Sequence, residues 1–317
     1  MNKRFTLPLL CCTFLLMAFA SCNKFEGSQT VPAYIRIDSI KVEGDYYTYG
    51  ANTSNITDAW VYVDDQIIGC YELPATFPVL KKGPHKVSVY GGICMDGVGS
   101  ARGPYSFYQP QVFENLNLVE DSIVNLNPVI VNYYPIGEGV MVGWMEDFET
   151  GTALLPTSQS DTSVIRVSGN EAWRSVNSYY SGKVVLPPDS LDFTVATADE
   201  LTCHTNLLGE KPLFLEMDYK TNDTIFVGII FQEYNQLIRW PMVKVLPTDT
   251  EHDVPQKWKK IYINLGKLMH EHESANFFKV YFTSDLSLAP EYGQPDYVHP
   301  HKWRYYYFDN LKVLYRQ

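Results

Sequence analysis

The stretch Leu213-Phe-Leu-Glu-Met-Asp-Tyr219 decides the fold of this 317-residue chain. Its odd-numbered positions are apolar, and Glu216 and Asp218 stand between them. Because successive side chains of a β-strand point to opposite faces, this alternation predicts a strand that buries one face in a core. The run Ile225–Phe231 that follows is apolar on both faces, as expected of a central buried strand.

The same alternation continues towards the end of the chain. Apolar residues occupy every second position in Ile261–Leu265, Phe278–Phe282 and Leu311–Tyr315. No segment keeps a sustained helical period. The 23 tyrosines, 20 glycines and 19 prolines suit a chain of many strands and turns. We therefore predict an all-β protein.

The strands are predicted to form two sandwiches. Strands and turns recur about every ten residues between positions 34 and 134, a spacing typical of β-sandwiches. We interpret residues 34–135 as an immunoglobulin-like β-sandwich. Pro135, Gly137 and Gly139 then interrupt the strand pattern and indicate a domain boundary. Residues 140–317 are interpreted as a second β-sandwich, a jelly roll.

The first 22 residues are predicted to be a secretory signal peptide. Lys3 and Arg4 precede an apolar run, Leu7–Ala20, which is too short to cross a bilayer because a crossing needs about 20 residues. The ending Ala20-Ser21-Cys22 resembles the lipobox of bacterial lipoproteins, in which the cysteine is acylated. That resemblance implies a lipid on Cys22, followed by a polar tether over residues 23–33.

Composition limits the partners of the chain. A formal net charge of −11 at pH 7 and a pI near 5.1 argue against nucleic acid and against electrostatic docking on anionic lipid. Attachment to a membrane then has to come from acyl chains. Cys70 and Cys94 either form a disulfide or stay free thiols, and their spacing does not decide between the two.

Three motifs in the second domain resemble the galactose-binding-like jelly roll that many carbohydrate-binding modules share. They are an acidic and aromatic opening, a strand led by tryptophan, and a closing strand: Glu146–Glu149, Trp258–Leu265 and Tyr306–Val313. The whole layout resembles the two-domain surface lipoproteins of Bacteroidota. This implies a protein anchored in the outer membrane by lipid, on the periplasmic face or at the cell surface.

The same resemblance implies a structural Ca²⁺ where the opening strand meets the closing strand. Asp147, Glu149 and Asp309 match those positions, and carboxylate oxygens suit calcium. The alternative is that Asp309-Asn310 forms a turn or bonds to the backbone.

Tryptophans near predicted turns are the candidate ligand-binding residues. Trp173 stands beside Arg174, and Trp240 stands beside Arg239. Exposed aromatic rings stack on sugar faces, while arginine bonds the hydroxyl groups. Burial in the core is the alternative for both rings. We predict that the second domain binds a glycan through these four residues without cleaving it.

Two other functions remain open at this point. Sandwiches of this kind also act as docking surfaces, so the alternative is a structural or docking subunit of an outer-membrane protein assembly. The chain contains no Gly-x-Ser-x-Gly and no HExxH motif, so no catalytic residue is predicted. A hydrolase with an unrecognised site is the third alternative.

Overall fold

A computed structural model describes residues 31–158, 160–188, 190, 192–201, 211–285 and 302–316. Over these residues the protein consists of strands with three short helical segments, which confirms the predicted all-β fold. No helix in the described part is long and apolar enough to cross a membrane. The predicted signal peptide, Cys22 and most of the tether lie outside the described residues.

The first sandwich contains the strands β1 to β11. Their bounds are Ala33–Ile37, Ile40–Glu43, Asp58–Val63, Gln66–Glu72, Ala75–Val79, Gly83–Cys94, Arg102–Pro104, Tyr108–Gln109, Gln111–Leu118, Ile123–Asn125 and Val129–Tyr133. One sheet has the order β4-β3-β6-β7, with β9 also on β6. Two three-stranded sheets, β10-β1-β5 and β2-β11-β8, complete the sandwich. A four-residue helix, α1 (Tyr46–Tyr49), follows β2.

Strands β1 and β2 form one extended path that passes from one sheet to the next. Strand β1 pairs with β10 in parallel, and β2 pairs with β11 in parallel. Hydrogen bonds between this path and β10-β11 continue across the break between β1 and β2, because the Leu126 N–H donates to the Arg36 carbonyl at 3.0 Å and the Val129 N–H donates to the Ser39 carbonyl at 3.2 Å. Its alternating apolar residues lie in the core of the first sandwich: Ile35, Ile37, Ile40 and Val42.

The second sandwich contains the strands β12 to β22. Their bounds are Met141–Glu146, Leu154–Pro156, Ile165–Ser168, Tyr180–Leu186, Thr194–Thr197, Leu213–Thr221, Ile225–Glu233, Gln236–Val245, Lys259–Asn264, Phe278–Thr283 and Arg304–Tyr315. One sheet, here named the junction sheet, has the order β14-β15-β22-β17-β20, with β12 also on β22. The other, named the distal sheet, has the order β13-β16-β21-β18-β19. A 3-10 turn covers Gly169–Glu171, and α2 covers Gly266–Glu271.

The second sandwich buries the apolar faces that the alternation predicts. Leu213, Leu215 and Met217 of β17 are fully buried in a core that also holds Ile229 and Phe231 of β18. Two facing antiparallel sheets around one core fit the predicted jelly roll. The immunoglobulin-like resemblance of the first sandwich and the domain boundary near residues 135–140 stay predictions.

The outer face of the junction sheet is covered by the first sandwich. Phe214 of β17, Tyr262 of β20 and Leu314 of β22 are buried in the core cluster of the first sandwich. Tyr105 of the first sandwich packs edge-on against Phe214, with ring centroids 5.6 Å apart. The two sandwiches therefore share one apolar contact.

Four charged side chains are buried in the same contact. Glu216 and Asp218 lie on β17, Lys260 on β20 and Lys312 on β22, and each is at most 6% exposed. Lys260 Nζ is 3.0 Å from Glu216 Oε2 and 3.8 Å from Asp218 Oδ1. Lys312 Nζ is 3.5 Å from Glu216 Oε2. We name these four residues the buried charge cluster; its formal charges cancel.

The tip of the hairpin between β6 and β7 closes the free edge of the junction sheet. Met95 forms a parallel bridge with Tyr262 of β20. The Asp96 N–H donates to the Tyr262 carbonyl at 2.8 Å, and Asp96 Oδ1 accepts from the Asn264 N–H at 2.8 Å. The edge strand β20 is thus hydrogen-bonded by the first sandwich.

The thiols of Cys70 and Cys94 are both free, so no disulfide joins them in this structure. Cys70 is exposed on β4, whereas Cys94 is half-buried at the end of β6. The Cys94 sulfur lies 3.6 Å from Thr57 Oγ1. Partial burial raises the pKa of the Cys70 thiol, and the Asp58 charge adds to this, so the reactive thiolate is disfavoured.

Candidate functional site

A continuous groove runs along the contact between the two sandwiches. It consists of two cavities of about 450 Å³ and about 620 Å³. Asn52, Thr53 and Trp173 line both cavities, so the two join at these residues. We name this space the junction groove.

One wall of the junction groove is helix α1. Asp45 caps its N-terminus, because Asp45 Oδ2 accepts from the Thr48 N–H at 2.9 Å and from Thr48 Oγ1 at 2.7 Å. Gly50, with φ of 74°, ends the helix, and its N–H donates to the Tyr46 carbonyl at 2.8 Å. The short turn leaves the Tyr47 ring 82% exposed at the groove.

Tertiary contacts hold α1 in place, since a single helical turn is not stable alone. The Tyr49 ring stacks on Tyr133, with centroids 4.8 Å apart, and the Tyr49 hydroxyl donates to the Tyr134 carbonyl at 3.0 Å. Lys312 of the buried charge cluster donates to the Tyr49 carbonyl. The position of this wall therefore depends on both sandwiches.

The opposite wall is the segment after the 3-10 turn, which carries Trp173. The Trp173 N–H donates to Ser181 Oγ at 2.8 Å. The Trp173 ring meets Trp258 edge-on, with centroids 6.0 Å apart. The Lys220 ammonium lies 5.0 Å from the Trp258 ring and donates to the Glu171 carbonyl at 3.1 Å. The cation–π contact holds the Trp258 ring, and the Trp173 ring packs against it.

The floor of the junction groove is formed by charged groups that compensate each other. Thr53 Oγ1 donates to Asp218 Oδ2 at 2.6 Å and accepts from Lys260 Nζ at 3.0 Å. Burial raises the pKa of Asp218, although Lys260 and Thr53 oppose this. Burial alone would lower the pKa of Lys260, but Asp218 and Glu216 raise it above its ordinary value. The floor thus holds an ion pair with no excess charge.

The junction groove combines aromatic rings with neutral hydrogen-bonding groups. The rings are those of Tyr46, Tyr47, Trp173 and Trp258. Amide and hydroxyl side chains lie between them: Asn52, Ser54, Asn55, Ser175 and Asn177. Rings offer stacking surfaces, and amides and hydroxyls both donate and accept hydrogen bonds. The groove is suited to a ligand that has apolar faces and many hydroxyl groups.

The structure places the tryptophan of one predicted tryptophan–arginine pair at this groove. Trp173 is half-buried and lines both cavities. Arg174 is exposed and is not part of either cavity lining. The prediction of Trp173 as a ligand-binding residue thus agrees in position with the groove, and binding itself stays a prediction.

The second predicted pair lies on the other sheet. Arg239 and Trp240 are in the middle of β19 instead of near a turn. Trp240 is opposite Ile229 of β18, on the core side, whereas Arg239 is opposite Ile230, on the outer side. The structure therefore does not bring the four predicted residues into one site. Trp240 is 48% exposed at the edge of the distal sheet.

Two of the predicted calcium ligands are bonded to protein groups. Asp147 Oδ2 accepts from the Tyr46 hydroxyl at 3.1 Å, and Asp147 Oδ1 accepts from the Glu149 N–H at 3.0 Å. Glu149 Oε1 accepts from the Tyr179 N–H at 2.7 Å and the Tyr180 N–H at 2.8 Å. These carboxylates fix the opening strand to its neighbours.

The third predicted ligand, Asp309, is fully buried on β22. Its oxygens accept from Ser181 Oγ at 2.6 Å and from the Asn310 N–H at 2.7 Å. Burial raises the pKa of Asp309 to about 8, and the nearby charges of Asp218 and Glu149 add to the rise. The bond to Asn310 is the backbone alternative that the sequence left open.

Calcium at Asp147, Glu149 and Asp309 stays a prediction. Among the described residues, three ligand atoms within 4.8 Å of one another occur instead at Asp249, Glu251 and His252. A metal that binds only the folded state raises its stability, so we expect a higher melting temperature in excess calcium than in chelator. A gain of 1 kcal/mol corresponds to about 2–4 °C at this size. Asp309→Asn is the control that removes the difference, and equal melting temperatures of the parent protein would contradict the site.

The aromatic residues Tyr47 and Trp258 of the junction groove were not predicted as ligand contacts. From the sequence, Trp258 was assigned only to the start of a predicted strand, Trp258–Leu265. Tyr47 lies in the segment Asp45–Gly50, whose signal is a cluster of tyrosines between a capping aspartate and a glycine. A helix of four residues gives no periodic pattern, so its cap residues, Asp45 and Gly50, are the only local indication that a helix forms here.

The fold and the groove define this chain as a β-sandwich protein with an aromatic-lined groove. No family model matches it, and no curated protein matches it. The family 11 carbohydrate-binding module of Clostridium thermocellum, solved with a β-1,3-1,4-mixed-linked tetrasaccharide, is similar at 14% identity and a TM-score of 0.34. The similarity covers 55% of this chain and 94% of that chain.

A second solved structure resembles more of the chain. It is the N-terminal CBM22-1-CBM22-2 tandem domain of Xyn10C from Paenibacillus barcinonensis, at 13% identity and a TM-score of 0.36. That similarity covers 82% of this chain and 74% of that chain. Identities and TM-scores as low as these carry no argument about the ligand, so the geometry of the junction groove has to supply it.

Proposed function

We propose that this chain is a non-catalytic envelope lipoprotein that binds a glycan in the junction groove. The observation that carries the proposal is one continuous groove in which Tyr47, Trp173 and Trp258 lie among neutral amide and hydroxyl groups. Sugar rings have apolar faces that stack on aromatic rings and hydroxyl edges that bond to amides. The groove uses both sandwiches, so binding is not confined to the C-terminal jelly roll.

Charge and size favour a neutral oligosaccharide. On the floor, the Asp218 and Lys260 side chains form an ion pair and both bond to Thr53 Oγ1, so the floor itself offers no unpaired charge to an ionic ligand. Two further charges at the groove, Asp45 and Lys259, have opposite signs. Cavities of about 450 Å³ and 620 Å³ lie within the usual range of small-molecule sites, about 300–1,000 Å³.

A glycan array with the lipid-free full chain, carrying Cys22→Ser, tests this function. We expect binding to a subset of neutral oligosaccharides, with dissociation constants in the micromolar to millimolar range, about 4–8 kcal/mol. The amount of reducing ends in a glycan solution must not rise during prolonged incubation with the protein, because we propose that the protein does not cleave its ligand. An array without any neutral glycan bound would overturn glycan binding.

The lipid anchor is a separate part of the proposal and rests on residues outside the described part. Lys3, Arg4 and the ending Ala20-Ser21-Cys22 support it. We expect Cys22→Ser to move the protein from the membrane fraction to the soluble fraction, because no acyl chain is then attached. Ser21→Ala, which keeps the cysteine, is the control. Fractionation that is the same for Cys22→Ser and the parent protein would show that the anchor is absent.

A further inference from the structure

Four exposed aliphatic residues lie on neighbouring segments at one end of the first sandwich. Val31 is 47% exposed, Leu80 67%, Val119 48% and Ile123 62%. The structure brings their segments together through β1, because Ala33 pairs with Val79, Tyr34 pairs with Ile123, and the Asp121 N–H donates to the Pro32 carbonyl at 3.0 Å. We name these four aliphatic residues the N-terminal patch.

The two lysines beside the N-terminal patch each lie near an acidic side chain. Lys82 Nζ is 3.4 Å from Glu120 Oε1, and Lys81 Nζ is 3.8 Å from Asp64 Oδ2. The rim therefore has no excess of positive charge that would attract anionic headgroups. An attraction at this surface has to come from the aliphatic side chains.

The position of the patch in the chain indicates what covers it. Val31 belongs to the patch and follows the predicted lipidated Cys22 by nine residues. Nine residues span at most about 30 Å, since an extended chain advances no more than about 3.6 Å per residue. A lipid on Cys22 thus keeps the patch within about 30 Å of the bilayer surface.

The junction groove lies at the other end of the first sandwich. Strand β6 connects the two ends: it starts at Gly83, which pairs with Leu118 beside the patch, and it spans roughly 36 Å at about 3.3 Å per residue. It ends at Cys94, next to the Met95 bridge to Tyr262, and the groove residue Asn55 donates its N–H to the Tyr262 hydroxyl at 3.1 Å. A contact at the patch therefore holds the groove away from the contacted surface.

We propose that the N-terminal patch seats on the lipid bilayer interface and presents the junction groove away from the membrane. The proposal rests on the lipid anchor of the proposed function. The aliphatic side chains enter the headgroup region, and the lipid on Cys22 supplies the main attachment. Since both rim lysines are paired with acidic side chains, the contact is insensitive to salt.

Spin labels on the lipidated full chain test this arrangement in vesicles of phosphatidylethanolamine and phosphatidylglycerol. One label is attached at Ile123→Cys in the patch, and the control label at Val176→Cys in the groove, where Val176 is 83% exposed. Cys70, Cys94 and Cys203 are replaced by serine in both proteins, and Cys22 is kept. The accessibility of each label to oxygen and to a nickel chelate reports its depth.

We expect the label at position 123 to favour oxygen severalfold over the nickel chelate, and the label at 176 to behave as in water. The result at 123 is expected to be the same at 0.1 M and 1 M salt, although the Debye length falls from about 10 Å to about 3 Å. Val119→Asp should return label 123 to aqueous values.

Three results would overturn the proposal. Aqueous values at 123 on a vesicle-bound protein would reject the patch contact and leave the anchor and glycan binding intact. A depth that is lost at 1 M salt would show a charge-driven contact instead of an apolar one. A protein that does not stay with the vesicles would reject both the anchor and the patch contact.

Discussion

Replacing Glu216 with glutamine is expected to lower the free energy of unfolding by about 3–5 kcal/mol, because it leaves buried lysines without their partner. Glu216 is fully buried and contacts Lys260 and Lys312. Its carboxylate also accepts from the Tyr105 hydroxyl at 2.9 Å and the Tyr133 hydroxyl at 3.1 Å. Glutamine keeps the volume and an acceptor, so the expected loss comes from charge.

The protonation states support this expectation. Burial alone would raise the pKa of Glu216, but Lys312 and Lys260 outweigh it and hold that pKa below its ordinary value. Burial lowers the pKa of Lys312 to about 8, so this side chain is still mostly charged at pH 7. Removing the negative charge at 216 therefore leaves the buried charge cluster with a net charge of +1.

Denaturant unfolding followed by circular dichroism measures the effect. Glu120→Gln is the matched control, because Glu120 pairs with Lys82 at the surface, where such pairs contribute about 0–1 kcal/mol. Adding Lys312→Met to Glu216→Gln should recover part of the loss, since it removes one uncompensated charge. A Glu216→Gln protein within 1 kcal/mol of the parent would contradict the role of the cluster.

Replacing Tyr47 with alanine is expected to weaken glycan binding about 5- to 30-fold, which is about 1–2 kcal/mol. The Tyr47 ring is 82% exposed at the junction groove and contributes little to the core. We therefore expect no change in melting temperature beyond the measurement error. Isothermal titration with the best glycan of the array measures the affinity.

Tyr234 provides a matched control for Tyr47. It is 88% exposed at the turn between β18 and β19 of the distal sheet, whereas the groove strands β17 and β20 belong to the junction sheet. Tyr234→Ala should bind the glycan as the parent does. Equal losses for the two alanine variants, or no loss for either, would contradict the groove as the site.

Trp173, at the junction groove, and Trp240, on the distal sheet, allow the same comparison between a groove residue and a residue outside the groove. Trp173→Ala should abolish measurable binding, while Trp173→Phe, which keeps a ring beside Trp258, should retain most of it. Trp240→Ala changes the distal sheet and should leave affinity unchanged. If instead Trp240→Ala removes binding at an unchanged melting temperature, the ligand site is on the distal sheet.

The sequence predicted the inner faces of the strands because alternation shows which residues share a side. It did not predict that Glu216 and Asp218 are buried, because a local pattern distinguishes two faces but not what covers the second one. Burial of that face depends on Tyr105 and Tyr133, which are more than eighty residues away along the chain. Nothing in β17 itself indicates such a partner.

The candidate site was predictable only in part. Trp173 follows from its sequence, since a tryptophan beside polar residues and turns is a reasonable ligand contact. The separation of Arg239 from Trp240 also follows from strand geometry, once the segment is recognised as a strand. Tyr47 could not be placed, because contacts with Tyr133 and Lys312 hold its helix against the second sandwich.

The bridge of Met95 and the hydrogen bonds of Asp96 with strand β20 have a consequence for solubility. An uncovered edge strand offers unpaired N–H and C=O groups to another chain and promotes aggregation. In Ile261-Tyr262-Ile263 these groups would be flanked by β-branched and aromatic side chains, a composition that favours intermolecular sheets. By occupying that edge, the hairpin of the first sandwich protects the second sandwich from self-association.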